Sequence, residues 1–298
     1  MNTIAKDQNS APFQRLLKAR QRIYSEATRL QITQLIATVL LPVTGAVLGT
    51  LYSPARPWVA LYGLIVTVLD VLWIDRSQRE KLKVAAKLGD QFDCAVLKMP
   101  WNGFAVGNAV DAETIDAASR KWSGNEAHVL DWYAGIPERA PLHLARIVCQ
   151  RTNLWYDSSL RRRYGKLLIA AVVIVLLGLI IGAAIQNLTV IDLVTVAATI
   201  SPAIIWAIRE QFRQSDAAES IENLKGEAEK LLEQAKGGHC GYDECQSRSR
   251  EFQDAIYGRR VANPLILPLI YNFLRPEMEK RMEAGVSSLL EEYAEPKV

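Results

Sequence analysis

The sequence predicts an all-α membrane protein, with four transmembrane helices in two hairpins joined to a helical cytoplasmic domain. Three observations carry this. Residues 32–52 and 167–185 contain no Asp, Glu, Lys or Arg, four apolar segments reach spanning length, and no stretch alternates as a soluble β-sheet would. A helix rising about 1.5 Å per residue needs about 20 apolar residues to cross about 30 Å of hydrocarbon. Residues 32–52, 58–74 (with one acid, Asp70), 167–185 and 188–208 (with one acid, Asp192) meet that length. With 298 residues, 50% of them hydrophobic and 22% charged, a disordered chain, a collagen-like fibre and a small disulfide scaffold are excluded.

Taken in order, residues 1–31 form an amphipathic cytoplasmic helix. Phe13, Leu16, Leu17, Ile23, Tyr24 and Ala27 share one face, and Arg15, Lys18, Arg22 and Arg29 the other. Such a helix either lies along the inner leaflet or packs its apolar face on the cytoplasmic domain. It is too charged for a cleaved signal peptide, so the first span is a retained anchor. Residues 32–74 are the first hairpin and 167–208 the second, because the connections at 53–57 and 186–187 suffice only for turns. Gly45 with Gly49, and Gly178 with Gly182, have the G-x-x-x-G spacing of close helix approach. Pro42 and Pro202 each remove a backbone hydrogen bond and mark places for kinks.

Residues 75–166 are the cytoplasmic middle region. A helix continues from the second span and halts near Pro100, Asp111 caps a short helix through Arg120, and Pro141 opens a helix toward the third span. In the C-terminal helical region, residues 209–298, Ile221, Leu224, Ala228, Leu231 and Ala235 form a coiled-coil-like seam ended by Gly237 and Gly238. A further helix starts near Tyr242, and a last pair of helices is expected around Pro264 and Pro276.

Charge orients the chain. Residues 1–31 hold 6 basic and 2 acidic side chains, residues 75–166 hold 15 and 11, and residues 209–298 hold 13 and 17, while the hairpin turns contain one base, Arg56. The positive-inside rule makes both termini and the middle region cytoplasmic. The basic regions lie next to the inner leaflet, a membrane-surface signature, so the expected partner is the lipid bilayer and not DNA.

Catalytic signatures are missing: there is no phosphate-binding G-x-x-x-x-G-K-[ST], no G-x-G-x-x-G, no G-x-S-x-G and no H-E-x-x-H. The expectation is a protein that is not an enzyme and holds no cofactor or metal. His239, Cys240 and Cys245 lack a fourth zinc ligand, and cytoplasmic cysteines should be reduced. In the fourth span Thr189, Asp192, Thr195 and Thr199 fall within about a third of the helix circumference. That stripe is either interhelical glue or the lining of a pore in a homo-oligomer, with Asp192 as an acidic ring. Two segments rich in Arg and aromatics have the residue types of a nucleotide pocket, since Arg forks match phosphate oxygens and rings stack on bases. From these, Arg151, Tyr257, Arg259, Arg260, Tyr271 and Arg275 are the candidate ligand-binding residues. Juxtamembrane arginines also set topology and Ile-Tyr pairs also pack between helices, so structural roles compete with this assignment.

Two hairpins around a cytoplasmic middle region, with Phe92-Asp93-Cys94, Met99-Pro100-Trp101-Asn102, Cys149-Gln150-Arg151-Thr152-Asn153 followed by Trp155 and Asp157, and the pairs Ile256-Tyr257 and Ile270-Tyr271, resemble the SMODS-associated four-transmembrane family of pore-forming effectors. The resemblance spans most of the chain; Met99 stands where the family more often carries Leu. It implies a bacterial anti-phage effector of the CBASS type. There a cGAS/DncV-like nucleotidyltransferase makes a cyclic di- or trinucleotide, which activates the effector to disrupt the inner membrane. The family supplies no catalytic residues. A different class of reading is a membrane-anchored scaffold that recruits a partner through the seam of residues 221–235 and forms no pore.

Overall fold

A computed structural model describes residues 1–293 apart from Ser53, Ala55, Ala134 and Leu188. All regular structure among these residues is helical: α1 (Ile4–Asp7), α2 (Ala11–Leu35), α3 (Leu41–Leu51), α4 (Arg56–Leu69), α5 (Asp75–Val96), α6 (Gly103–Val106), α7 (Ala112–Arg120), α8 (Leu142–Ile185), α9 (Val190–Lys236), α10 (Tyr242–Ala262) and α11 (Pro268–Leu289).

The second hairpin is built from two uninterrupted helices, of 44 and 47 residues. α8 begins directly after Pro141, whose fixed φ suits a helix entrance. Both helices run from the packed domain into apolar stretches that are long enough to cross a membrane. There Ile174, Ile185 and Ile191 are 69%, 75% and 78% exposed, far more apolar surface than a soluble monomer leaves uncovered. Asn187 turns the chain with φ +49°, a left-handed conformation that Asn tolerates; Leu188, the expected start of the fourth span, lies outside the described residues.

The first hairpin is constructed differently. Its apolar segments are divided by π-helical turns at Ile36–Leu40 and Asp70–Ile74 into α3 and α4, of 11 and 14 residues. The first π turn immediately precedes Pro42. Proline has no N–H and its ring clashes with the carbonyl four residues back, so a wider turn there relieves the conflict. The second π turn begins at Asp70, whose Oδ1 accepts a 2.8 Å hydrogen bond from Gln34 Nε2. Asp70 therefore pairs with an amide of the facing helix. Gly45 is pressed against Val59, with room for a Cβ only 2.8 Å from Cγ1, so α3 and α4 approach closely at that glycine. Its expected companion Gly49 lies outside the described side chains. Gly178 and Gly182 have open space around them and make no close approach within the chain.

α2 continues the first apolar segment downward and packs Ala19 and Ile23 against Ala85 and Leu88 of α5. Its apolar face is thus committed to packing against α5 within the helical domain. Asp111 caps α7 as expected, accepting from Thr114 N at 2.7 Å. The expected pair of helices around Pro264 and Pro276 is a single helix, α11, with Pro276 inside it. The seam of α9 is buried within the chain: Ile221, Ala228 and Leu231 are no more than 5% exposed and share a core with Leu144, Ile147 and Val148 of α8. A scaffold partner would find no free seam there. Cys240 and Cys245, expected as reduced thiols, are joined to each other across the turn after Gly238, with Cα atoms 6.0 Å apart.

Candidate functional site

The motifs that carry the family resemblance meet in one buried polar hub. α5 is amphipathic, yet on its buried side, between Leu88 and Val96, it carries Asp90 and Asp93, which are 0% and 1% exposed. Buried carboxylates must be paired. Asp93 accepts from three donors: Tyr133 Oη at 2.6 Å, Gln253 Nε2 at 2.9 Å and Arg260 Nη1 at 2.5 Å. Gln253 Nε2 also donates to Asp90 Oδ1 at 2.9 Å, and Arg250 reaches Asp90 at 3.6 Å. Gln150 of the Cys-Gln-Arg motif donates to Ser249 O at 2.7 Å and to Gln253 Oε1 at 3.2 Å, and Asn153 Nδ2 donates to the Tyr133 hydroxyl at 3.2 Å. Asn102 of the Pro-Trp-Asn motif caps α6 and donates to Asp254 Oδ2 at 2.7 Å.

The charges respond to this setting. Burial raises the Asp90 carboxyl above the ordinary range despite the donation from Gln253. Burial with Asp90 nearby pushes the Cys94 thiol up to about 12, so it is no nucleophile. Tyr133 is raised by burial and by Asp93. Burial alone would lower the Arg260 guanidinium, but Asp93, with Tyr133 and Asp90, outweighs it and Arg260 is held charged.

A second arginine stands beside this pair. Arg20 of α2 lies over the Trp132 ring at 4.8 Å and makes no hydrogen bond or ion pair among the described residues. Gly89 is the reason it fits, since a Cβ there would lie 3.1 Å from both Arg20 Nε and Arg260 Nη1. Burial lowers Arg20, and its neighbour Arg260 lowers it further, with Asp93 only partly compensating. The two guanidiniums thus lie side by side at Gly89, with Asp93 ion-paired to Arg260 and not to Arg20, and with aromatic rings close by. Tyr24 and Tyr271 lie within electrostatic reach of Arg20, and burial pushes Tyr24 up to about 12. The buried Tyr156 hydroxyl sits next to Tyr271 without a well-formed hydrogen bond, and burial and Tyr271 raise it. Arg275 pairs with Glu279 at 2.5 Å and acts electrostatically on Tyr156 and His128.

Of the six candidate ligand residues, the structure brings Arg260 and Tyr271 near Arg20, while Arg275 stands one step away, beside Tyr156 and paired with Glu279. The other three lie apart. Arg151 is forked onto Glu229 of α9 at 2.6 and 2.8 Å, Tyr257 packs with Ala86 and Val106, and Arg259 is exposed. Arg20, Tyr133 and Gln253 were not among the site residues expected from the sequence, and Asp93 entered only as part of the Phe92-Asp93-Cys94 motif, with no role assigned. The signal was there for the acids, since Asp90 and Asp93 interrupt the apolar face of an amphipathic helix. Arg20 carried none, because an arginine near the end of a basic segment reads as topology.

The pore-stripe residues have local roles. Thr189 and Asp192 form a reciprocal capping box at the start of α9: Thr189 N donates to Asp192 Oδ2 at 3.1 Å, and Asp192 N donates to Thr189 Oγ1 at 3.2 Å. The hydroxyls of Thr195 and Thr199 donate to the carbonyls of Ile191 and Thr195. Thr189, Asp192 and Thr195 are exposed in the single chain, and Thr199 is partly so. Among the described residues no group of three or more His, Cys, Asp or Glu is placed to hold a metal ion.

Two membrane-length apolar helices rising from a packed domain with buried Asp–Arg–Tyr contacts define a class: an all-helical protein with helices long enough to cross a membrane. The chain belongs to the SMODS-associating 4TM effector domain family, whose model matches residues 2–289. It is also similar to the "Probable CBASS effector molecule IK1_05631" of Bacillus cereus (strain VD146), with 23% identity over 279 residues, covering 91% of this chain and 92% of that protein. No solved structure matches.

Proposed function

We propose that this protein is a membrane effector of bacterial anti-phage defence of the CBASS type, switched on by a cyclic di- or trinucleotide made by a cGAS/DncV-like nucleotidyltransferase. Family membership and the similar CBASS effector support the defence role. The observation that carries the messenger site is the pair of arginines at Gly89, Arg20 without an anionic partner and Arg260 shared with Asp93. A phosphodiester is a ligand that would suit such a pair, and in this reading the nearby rings of Tyr24 and Tyr271 would stack on its bases.

In this reading the chain has four spans in the bacterial inner membrane, at residues 32–74 and 167–208, with residues 1–31, 75–166 and 209–298 cytoplasmic. The site lies on helices that continue toward the apolar segments: Arg20 on α2, Gly89 and Asp93 on α5, and Tyr156 on α8. A messenger that draws Arg20 toward Arg260 would pull α2, and with it the first span, against α10. Moving a resting population from 1:99 to 99:1 needs about 5.5 kcal/mol of differential binding, which several charge-assisted phosphate contacts can supply. Homo-oligomers would then turn the outward stripe of Thr189, Asp192, Thr195 and Thr199 onto a common lumen.

The test is dye release from liposomes holding the full chain, with a panel of cyclic di- and trinucleotides. Release with one messenger, lost in R20A and in R260A but kept in R259A, is the expected result. Release that survives both substitutions would remove the site from this hub. Binding without release would leave a membrane sensor that forms no pore.

A further inference from the structure

A cleft of about 530 Å³ opens between the first π turn and the inner end of the apolar part of α9, away from the messenger hub. Its lining is graded along the helix axis. Val39, Pro202 and Ile205 form one wall, Trp206 stands at the middle, and Arg209 and Arg213 close the other end. Pro202, Trp206, Arg209 and Arg213 follow one another at three- and four-residue steps, so they share one face of α9. Arg209 is the first residue after the expected end of the fourth span. It is exposed and has no hydrogen bond or ion pair among the described residues. Arg213 touches only Glu210, Nη1 to Oε2 at 3.3 Å, and is 66% exposed. The other oxygen of Glu210 accepts from Gln214 Nε2 at 2.7 Å, so this carboxylate, the one acid in the cleft, is partly engaged on the side of the packed domain, and burial raises it.

We propose that this cleft is a site for an anionic phospholipid, its phosphodiester held between Arg209 and Arg213 and its acyl chains lying along Val39, Pro202 and Ile205. The order of the lining argues for a lipid over a soluble nucleotide. Basic groups occur only at the end facing the interface, the opposite end is aliphatic, and Trp206 sits where an interfacial indole is favoured. A cyclic nucleotide carries phosphates and bases around its whole ring and would leave the aliphatic wall against polar groups. The site would also seat a lipid against the π turn of the first hairpin, so bilayer charge would act on the part of that hairpin with the loosest backbone ladder.

The inference rests on the reading that α9 crosses the bilayer, and it is independent of the messenger. The full chain is reconstituted in nanodiscs of phosphatidylcholine with a minor fraction of phosphatidylglycerol, extracted in mild detergent, and its retained lipids are quantified. Wild type should retain phosphatidylglycerol at about tenfold over the feed ratio, as expected for two basic groups at an anionic surface. R209Q/R213Q should fall to the feed ratio. T38W, which fills the cleft beside Val39 without changing a charge, should do the same. R76Q/R79Q, a juxtamembrane pair outside the cleft, should keep the enrichment. Retention at the feed ratio in wild type, or equal loss in R76Q/R79Q, overturns the proposal. So does a cyclic dinucleotide that binds in pure phosphatidylcholine discs and is lost in R209Q/R213Q, since the cleft would then take a soluble phosphodiester. A chain that fails to insert at all overturns the membrane reading together with the site, whereas an inserted chain without enrichment overturns the site alone.

Discussion

The two hairpins are built on different backbones. α8 and α9 are single helices of 44 and 47 residues that run without a break from the packed domain into the apolar stretch. The helices of the other hairpin are each interrupted by a π turn, at Ile36–Leu40 and Asp70–Ile74, and the two interruptions are joined by the Gln34 to Asp70 hydrogen bond. A continuous α-helix carries rotation and translation along its length, even where, as at Pro202 in α9, one bond of the ladder is missing. A π turn carries one extra residue and a wider ring of hydrogen bonds, so it can be removed or shifted with little loss of bonding. The first hairpin is therefore the element that can change its pitch relative to the domain, and the second is the fixed strut.

The largest effect should come from the hub that ties both hairpins to one domain. Asp93→Ala strands the Arg260 charge at a site where its side chain is only 17% exposed. Breaking a buried pair by removing one partner should cost about 3 kcal/mol, read as a lower unfolding midpoint in detergent by circular dichroism. An unchanged midpoint would mean that the hairpins are held together elsewhere.

Next in size is a contrast of two single-residue deletions. Removing Thr38 from the first π turn should restore an α ladder, with the chain still inserting and its melting point close to wild type. Removing Val173 from the unbroken α8 should rotate everything beyond it by about 100° and lose the folded state. Both deletions can be scored by membrane extraction and thermal melting. Equal tolerance would erase the distinction between hinge and strut.

A smaller effect is expected at the outer turn of the strut. Thr189→Ala removes the cap of α9 and should cost about 1 kcal/mol. Asp192→Asn keeps an acceptor for the cap but removes the charge, so stability should change little while cation preference in a conductance recording shifts if the stripe lines a lumen.

The smallest effect is a dependence on pH. Burial lowers His128, with Arg275 beside it, and lowers His143, with Arg146 beside it. A histidine whose folded pKa is depressed gives stability that is present above its unfolded value, about 6.5, and lost as pH falls through the folded one. Melting points should therefore drop between about pH 7.5 and pH 5.5, and H128Q/H143Q should flatten that slope.

Much of the architecture was legible in the sequence because it rests on local rules. Asp111 before a helix, Pro141 at a helix entrance and Gly237-Gly238 at a helix end each act through their own backbone, and each falls where it was expected. The seam from Ile221 to Ala235 was visible as periodicity, but whether a partner chain or α8 covered it could not be read from spacing. Arg151, Tyr257 and Arg259 looked as suitable for a ligand as Arg260 did. Residue type is shared by all of them, and what separates them is the neighbour each one meets: Glu229, a small apolar pocket, open solvent, and Asp93.

By itself the sequence determined the helical class, the charge-free stretches and the family, because hydrophobic periodicity, caps and motif residues act at short range or survive as patterns. Tertiary structure alone decided that Arg20 and Arg260 meet over Gly89, that Asp93 draws donors from α10 and the 122–141 loop, and that two facing helices yield as π turns. These depend on residues from 36 to 167 positions apart in sequence and on which buried charge finds a partner, and no local propensity encodes that choice.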